Sequence, residues 1–391
     1  MLERPRTIYL ISPQKWCHPK VSKHHYALTL AGLGHRVYFI EPPHPENSRR
    51  PVVLDDESGV RVVKYRAYFP YWTKFHAPKM FDLLMRVQAK YLIDAIGESP
   101  EIVWDFDNAC QFVDLRVFGR SLKIFHPVDD VARRGCPGKR ADMVLSTSRR
   151  HLEGVPSGAI TALVGHGLSE PFAECARAVV GDPAAAGPRG RYDRPVIGYV
   201  GNLDLHGIDW DVILQIARQL PHVTIWLIGP GERGDVDGAR RAVHDAANVR
   251  FLGRKDANEI LSLANEINLW LMAYDGYRDP NGATNPHKLL EYLATGKPIV
   301  SNRTEAHCDT GLIAMPPDLS NETIPELVSA TLAELDFCDS DDMRRRRAAY
   351  ALTFGYEHHL AQIDLMMDSV VAETRKGWMA KSRDVTVSGN F

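Results

Sequence analysis

The chain has few cysteines, and none of them stand in a paired pattern. Its six cysteines are far apart, and no two form a C-x-x-C motif. This distribution argues against a structural zinc site and a disulfide framework, and it predicts a reducing, cytoplasmic environment. The six are Cys17, Cys110, Cys136, Cys175, Cys308 and Cys338.

Long apolar runs and a strong charge of one sign are also missing. No stretch approaches the roughly 18 apolar residues of a membrane-spanning helix, and the apolar run near residue 10 is too short for a signal peptide. The formal net charge is −2, so we expect no general attraction to nucleic acid. The 391 residues suffice for about two or three domains of ordinary size.

Short apolar runs alternate with helical patterns along the first half of the chain. Because helical crossovers join parallel strands, this alternation predicts a doubly wound α/β sheet. The predicted helices are residues 21–35 and 81–96. The predicted strands are residues 7–11, 36–43, 60–66, 101–106, 121–128 and 142–148.

A segment rich in glycine, proline and alanine, residues 178–195, interrupts the pattern. We interpret it as a linker between an N-terminal domain, residues 1–177, and a C-terminal domain, residues 196–355. The last helix, about residues 356–380, is expected to pack back on the first domain. Two such Rossmann-like domains would leave an interdomain cleft at the carboxyl ends of their strands, where ligands bind.

The C-terminal domain repeats the α/β alternation. Asp209 is predicted to cap its first helix, residues 209–222. The strands are predicted at residues 196–202, 223–232, 249–256, 267–274 and 298–302, and further helices at 324–335, 341–352 and 357–376.

The stretch TNPHKLLEYLATGKPIVSN, residues 284–302, predicts a helix that ends at Gly296 and leads into a strand. Asn285 suits the N-cap of this helix. Lys288 and Glu291 are three residues apart and share one face. An anionic ligand at the helix start would suit Lys288, and a ribose diol would suit Glu291. An ordinary surface ion pair is the alternative.

The order of strands, glycine turns and this helix resembles the C-terminal half of GT-B-fold glycosyltransferases, most closely the large retaining family 4. The resemblance covers residues 196–302, through IGPGE at 228–232, FLGRKD at 251–256 and KLLEYLATGKPIV at 288–300. The N-terminal half matches only in layout and in VGHGL, residues 164–168. The resemblance implies two Rossmann-like domains and a nucleotide-sugar donor held mainly by the second.

Site residues follow from the resemblance, position by position. Glu291 would bind the donor ribose. Lys288, Asn285 and nearby backbone N–H groups would meet the diphosphate. The other donor-binding positions are Gly201, Asn202, Gly229, Gly231, Gly253, Arg254 and Lys255. For Gly229 and Gly231 an ordinary turn is the alternative.

Two departures from the family pattern are visible. Family members often have a glutamate eight residues before the ribose-binding one, where this chain has Ala283. Many also have an arginine and a lysine after the first strand of the donor domain, where this chain has only His206. Lys288 is therefore expected to carry more of the phosphate neutralisation.

Acceptor and catalytic residues are expected in the N-terminal domain. Lys15, Trp16 and His18 follow the first strand and would bind the acceptor, with a solvated polar loop as the alternative. Polar groups at strand ends can accept a hydroxyl proton. Asp105, Asp107, His126 and Asp130 are the candidates, against helix caps for the aspartates and a core position for the histidine.

Two basic clusters raise the question of membrane contact. The first comprises Arg133, Arg134, Lys139, Arg140, Arg149 and Arg150. It predicts peripheral association with the inner membrane surface, against a solvated helix face. The second, residues 344–347, reads RRRR and is interpreted as a solvated helix face.

The resemblance implies a glycosyltransferase that uses a UDP- or GDP-type sugar donor and retains the anomeric configuration. Its acceptor would be a glycan or glycolipid of surface polysaccharide biosynthesis. We expect no metal and no other cofactor, because GT-B enzymes stabilise the leaving group with a helix and basic side chains. The alternatives are a sugar-nucleotide epimerase of the same fold and a non-catalytic assembly subunit.

Overall fold

The computed structural model describes residues 1–17, 20–127, 137–147, 152–156, 158–188, 194–231, 238–278 and 287–385, with side chains up to residue 370. The chain divides into two compact units. The first comprises Met1–Gly165 and Tyr356–Phe391, and the second His166–Gly355.

The first unit is built on a sheet that has eight strands in the described part of the chain. The strands are β1 (Thr7–Ile11), β2 (Arg36–Ile40), β3 (Val52–Asp55), β4 (Arg61–Lys64), β5 (Ile102–Asp105), β6 (Leu122–Phe125), β7 (Met143–Ser146) and β8 (Ile160–Leu163). Their order is β3-β4-β2-β1-β5-β6-β7-β8, with only the β3–β4 pair antiparallel among these strands. β1 is buried throughout, as a central strand of a parallel sheet should be.

Helices of the first unit cover this sheet. They are α1 (Ser22–Gly32), α2 (Thr73–His76) and α3 (Pro78–Ile96). α3 turns Phe81, Met85, Ala89 and Leu92 into the core, because residues three or four apart share one helix face. It ends at Gly97, whose φ of 79° suits glycine in the left-handed cap position.

The second unit is built on a parallel sheet with the order β11-β10-β9-β12-β13. The strands are β9 (Val196–Val200), β10 (Thr224–Ile228), β11 (Val249–Gly253), β12 (Leu269–Met272) and β13 (Ile299–Ser301). The helices are α4 (Glu170–Gly181), α5 (Trp210–Gln219), α6 (Gly238–His244), α7 (Ala257–Ala264), α8 (Lys288–Ala294), α9 (Ile324–Ala333), α10 (Leu335–Cys338) and α11 (Asp341–Leu352). Asp209 caps α5, as predicted, by accepting the Val212 N–H at 3.1 Å.

The final helix, α12 (Tyr356–Val385), belongs to the first unit. Tyr356, Leu360, Ile363 and Met367 are buried in the same apolar cluster as Tyr26 of α1. Among the described helices, none is both long and apolar enough to cross a membrane.

The segment interpreted as a linker is ordered structure over most of its described length. Residues 178–181 end α4, and Pro183–Ala186 form a 3₁₀ turn. Val179 and Ala186 are buried in the core of the second unit, whose boundary falls at His166 rather than near residue 178. The composition misled the interpretation because small residues also let a helix pack closely.

The RRRR run is likewise not a fully solvated face. Arg344 donates to both carboxylate oxygens of Asp339, at 2.7 and 2.6 Å, and to the carbonyls of Pro183 and Gly187. Arg347 donates to the carbonyls of Leu312, Gly296 and Cys338. Both guanidinium groups are buried because these acceptors satisfy them.

Candidate functional site

The loops after β9, β10 and β11 line a cavity at the carboxyl edge of the second sheet. Because chain order reverses beside β9, this edge is a topological switch point, where α/β proteins bind ligands. The cavity volume is about 470 Å³. Its lining residues are Asn202, Asp204, Gly229, Pro230, Gly231, Gly253 and Arg254, which include five of the predicted donor-binding positions.

Gly229 and Gly231 are required by the packing of these loops against each other. The Gly201 N–H donates to the Ile228 carbonyl at 3.0 Å. A Cβ atom on Gly229 would lie 1.7 Å from the Gly201 carbonyl oxygen, and one on Gly231 would lie 2.3 Å from the Leu203 Cβ. Glycine is therefore needed for the protein's own geometry, whether or not a ligand also approaches.

Arg240 and Asp204 form part of this edge and were missed from the sequence. Arg240 Nη2 lies 2.9 Å from Asp204 Oδ1 and 2.6 Å from the Gly231 carbonyl oxygen. The bonds connect α6 to the loops after β9 and β10. Asp204 lies two residues after Asn202, a predicted donor-binding position, and was open to prediction, whereas nothing in the sequence around Arg240 links it to this edge.

A second group of predicted residues lies on α8. Lys288 Nζ is 2.7 Å from Glu291 Oε2, and His287 Nε2 is 3.3 Å from Oε1. The side chain of Glu291 is 11% exposed, so this is not the solvated surface pair considered as the alternative. Burial by itself raises the pKa of Glu291, but Lys288 and His287 outweigh that effect and lower it to about 2.

Tyr292 connects α8 to the loop after β9. Its hydroxyl accepts the Val200 N–H at 2.6 Å and lies 3.3 Å from the Val200 carbonyl oxygen. Its ring stacks on Trp270 of β12 at a centroid distance of 4.5 Å. Since Val200 immediately precedes Gly201 and Asn202, these contacts fix the helix that carries Glu291 relative to that loop.

Other predicted donor positions contribute less or lie outside the described residues. Lys255 Nζ is 3.0 Å from Glu259 Oε1, an ion pair between the residue before the N-cap and the first turn of α7. Arg254 is exposed and lines the cavity, and no ion pair of Arg254 is found among the described residues. Asn285 and Ala283 lie outside the described residues. His166 is brought close to His287, with ring centroids 5.8 Å apart.

The predicted bases Asp105 and Asp107 form a fully buried cluster with Lys139 in the first unit. Lys139 Nζ is 2.8 Å from Asp105 Oδ2 and 3.8 Å from Asp107 Oδ2. The other carboxylate bonds go to backbone N–H groups of residues 107, 109 and 111. The three side chains are 0% exposed, so this geometry argues against a base that reaches an acceptor hydroxyl.

Lys139 is also not part of a membrane-contacting basic cluster, because its buried ammonium pairs with Asp105 and Asp107. Burial raises the pKa of Asp105, Lys139 opposes that effect, and the result is about 6. The other members of that predicted cluster, Arg140 excepted, lie outside the described residues.

His126 lies in an aromatic cluster at the end of β6. It is 1% exposed, and its ring stacks on Phe106 at 4.9 Å and lies 5.6 Å from the Tyr26 ring. This agrees with the alternative of a core histidine. Asp130 lies outside the described residues.

The loop after β1 is held by its own polar contacts. Trp16 Nε1 donates to Asp56 Oδ2 at 2.9 Å, and its backbone N–H donates to Glu41 at 2.8 Å. Lys20 Nζ sits 3.6 Å from the centre of the Trp16 ring. Lys15 is exposed, and His18 lies outside the described residues. Trp16 thus has a structural role that does not depend on an acceptor.

In the described part of the chain, no group of three or more histidine, cysteine, aspartate or glutamate side chains is arranged to hold a metal ion.

Two α/β units, each with a largely parallel sheet, define the GT-B class of fold. The likeness to solved structures agrees. Sucrose-phosphate synthase from Thermosynechococcus elongatus has a TM-score of 0.62 at 17% identity, over 94% of this chain and 100% of that one. The Anabaena protein HepE in complex with UDP-glucose has a TM-score of 0.63 at 14% identity, over 93% and 100%. At these identities the likeness establishes the fold.

The family match concerns the second unit. Residues 194–330 match the model described as Glycosyl transferases group 1, which confirms the resemblance found in the sequence. TuaH of Bacillus subtilis (strain 168), whose name assigns it as a glycosyltransferase of teichuronic acid biosynthesis, is 33% identical over 107 residues. That match covers 27% of this chain and 26%, about a quarter, of the relative.

Proposed function

We propose that the chain transfers a sugar from a nucleoside-diphosphate-sugar to a glycan or lipid-linked acceptor. The observation that carries the proposal is the buried, ionised Glu291 on α8, joined through Tyr292 to the loop that lines the strand-edge cavity. Burying a charged carboxylate costs free energy, and groups kept charged in this way are often found at ligand-binding sites. The topological switch point is where such a site is expected.

Glu291 is proposed to hold the donor ribose. A carboxylate can accept about four hydrogen bonds, and Glu291 uses one oxygen for Lys288 and the other for His287 among the described residues. Acceptor capacity therefore remains on both oxygens for the two ribose hydroxyls.

Lys288 is proposed to meet the donor diphosphate. Its ammonium has three N–H donors, and among the described residues Glu291 is its one ion-pair partner. The side chain is 22% exposed, which leaves room for phosphate oxygens. Arg254, which lines the cavity, is proposed as a second cation for the diphosphate. With these cations stabilising the leaving nucleoside diphosphate, the proposed mechanism uses no metal ion.

The finer parts of the proposal follow the family resemblance. The sugar is transferred with retention of its anomeric configuration, in surface polysaccharide biosynthesis at the cytoplasmic face of a membrane. Lys15 remains the exposed candidate for acceptor binding, and His126 remains a predicted site residue. UDP is the first nucleotide to test, because the structural neighbour HepE is described with UDP-glucose.

Calorimetric titration with UDP and GDP tests the donor site. We expect one of the two to bind the wild type, and Glu291→Ala and Lys288→Ala to weaken it at least about tenfold, as expected for loss of a charge-assisted hydrogen bond. Glu326→Ala, an exposed glutamate on α9, is the matched control and should bind normally. Undiminished binding in both site variants would refute the assignment of the site.

A donor screen that measures released nucleoside diphosphate tests the reaction. Release that requires an added glycan or lipid-linked acceptor supports the transferase. Conversion of the nucleotide-sugar without any acceptor would instead support an epimerase, and binding without conversion would support the assembly subunit. Nuclear magnetic resonance of the product linkage reports whether the configuration is retained.

A further inference from the structure

Helices α2 and α3 of the first unit present an exposed apolar surface. It comprises Trp72, Phe75, Met80, Leu83, Val87 and Tyr91, and we name it the α2–α3 face. Phe75 is 75% exposed and Leu83 60% exposed. Large apolar side chains at such exposure are normal when scattered, but a contiguous set marks an interaction surface.

The exposed apolar side chains of α3 form a stripe along one side of the helix. Met80, Leu83, Val87 and Tyr91 follow one another at intervals of three or four residues, so they share one face. The opposite face of α3, with Phe81 and Met85, already supplies the core. The stripe therefore does not contribute to the core. The corresponding face of an ordinary surface helix would be polar.

Basic side chains accompany the stripe. Lys79, Arg86 and Lys90 are exposed on α3, and none of them forms an ion pair with any residue that the structure describes. Between Trp72 and Ile96 the chain has four lysines and arginines against two aspartates, whereas the whole chain has a net charge of −2. The positive charge is concentrated on the helix that exposes the apolar stripe.

We propose that the α2–α3 face binds the surface of an anionic phospholipid bilayer. Tryptophan, phenylalanine and leucine would enter the boundary between headgroups and acyl chains, while the lysines and arginine meet lipid phosphates. The nineteen residues of α3 give a helix about 28 Å long, which would lie in the plane of the interface.

The charges distinguish a bilayer from a protein partner. Protein interfaces are depleted in lysine, whereas lysine and arginine beside an apolar stripe suit anionic headgroups. A bilayer bound at this face would also hold the lipid-linked acceptor of the proposed function. The biological role of membrane binding rests on that function, but the binding itself does not. Vesicle binding needs neither donor nor acceptor, so either proposal can fail without the other.

Vesicle co-sedimentation of the full chain tests the proposal. The vesicles contain phosphatidylcholine alone or phosphatidylcholine with phosphatidylglycerol. We expect the wild type to bind the anionic vesicles, less tightly as salt is raised, and to bind phosphatidylcholine weakly. The double variant Phe75→Ser/Leu83→Ser should bind the anionic vesicles at least about tenfold more weakly. Lys79→Gln/Lys90→Gln should lose roughly tenfold on anionic vesicles and little on phosphatidylcholine.

Phe337→Ser/Leu365→Ser is the matched control, since these two residues are 70% and 72% exposed and belong to α10 and α12 rather than to α2 and α3. It should bind like the wild type, and circular dichroism should show all variants folded. Equal binding by the face variant and the control would overturn the proposal. Failure of the wild type to bind anionic vesicles would also overturn it. If sedimentation velocity then showed a dimer that Phe75→Ser/Leu83→Ser abolishes, the face would be a contact between two copies of the chain.

Discussion

Lys288 Nζ lies 2.7 Å from Glu291 Oε2 on the short helix that follows the fourth strand of the second unit. The side chain of Glu291 is 11% exposed, so its charge depends on the neighbouring ammonium. Solvent screening is weak there, so the ion pair holds Glu291 ionised. A carboxylate fixed in this way is prepared to accept hydrogen bonds from a diol without a change of protonation.

Ribose recognition by Glu291 can be separated from general nucleotide binding. The wild type should prefer the bound nucleoside diphosphate over its 2′-deoxy form by about tenfold or more, because a hydroxyl bonded to a carboxylate is charge-assisted. Glu291→Ala should abolish most of this preference, whereas Lys288→Ala should weaken both ligands and keep it. Titration calorimetry of the six protein–ligand pairs, three proteins with two ligands each, measures the difference. An unchanged preference in Glu291→Ala would mean that the ribose lies elsewhere.

Acid should destabilise the second unit through Glu291. The folded pKa of about 2 lies below the ordinary value, so the stabilisation is present above about pH 4.5 and is lost as pH falls towards 2. Glu291→Gln should remove up to about 3 kcal/mol of the pH-dependent part of the free energy of unfolding. Urea unfolding of both proteins at about pH 6 and about pH 3 measures this. Equal loss of stability between the two pH values in both proteins would contradict it.

The buried Asp105 should act in the opposite direction. Its folded pKa of about 6 lies above the ordinary value, so its contribution to stability is full below about pH 4 and declines as pH rises to about 6. Asp105→Asn keeps an oxygen for Lys139 but does not ionise. Its free energy of unfolding should therefore change less than that of the wild type between about pH 4 and about pH 7. Parallel pH profiles for the two proteins would argue against a raised pKa.

Gly229 should not tolerate a methyl group. Gly229→Ala places a Cβ 1.7 Å from the Gly201 carbonyl oxygen, so the loops after β9 and β10 must move apart. We expect a loss of roughly 2–4 kcal/mol in the free energy of unfolding, together with weaker nucleotide binding. Gly181→Ala is the control, because a Cβ there meets nothing within 4 Å. Thermal unfolding and calorimetry measure both effects, and wild-type values for Gly229→Ala would refute the packing argument.

The α/β alternation and the donor motif were open to prediction from the sequence because their signals are local. β1 was predicted at its observed bounds, residues 7–11, since a buried central strand is a short unbroken apolar run. The helix at 341–352 was also predicted at its observed bounds. By contrast, α4 was missed, because its glycine-, proline- and alanine-rich continuation resembles a linker when no packing partner is known.

The polar residues of the first unit show most clearly what could not be predicted from the sequence. The positions of Asp105 and Asp107 at a strand end predicted bases, and the sequence contains nothing to indicate that Lys139 would fill the space between them. The same lysine was assigned to an exposed basic cluster. Only the fold brings residues more than thirty positions apart into one buried cluster.

The sequence alone determined the fold class, most strands, and the residue types of the donor site, because periodicity, glycine turns and the spacing of Lys288 and Glu291 are properties of neighbouring residues. Tertiary structure decided which charges are buried and which are exposed. It placed Arg344 and Lys139 inside and left the apolar stripe of α3 outside, and these outcomes depend on desolvation and on partners distant in the chain.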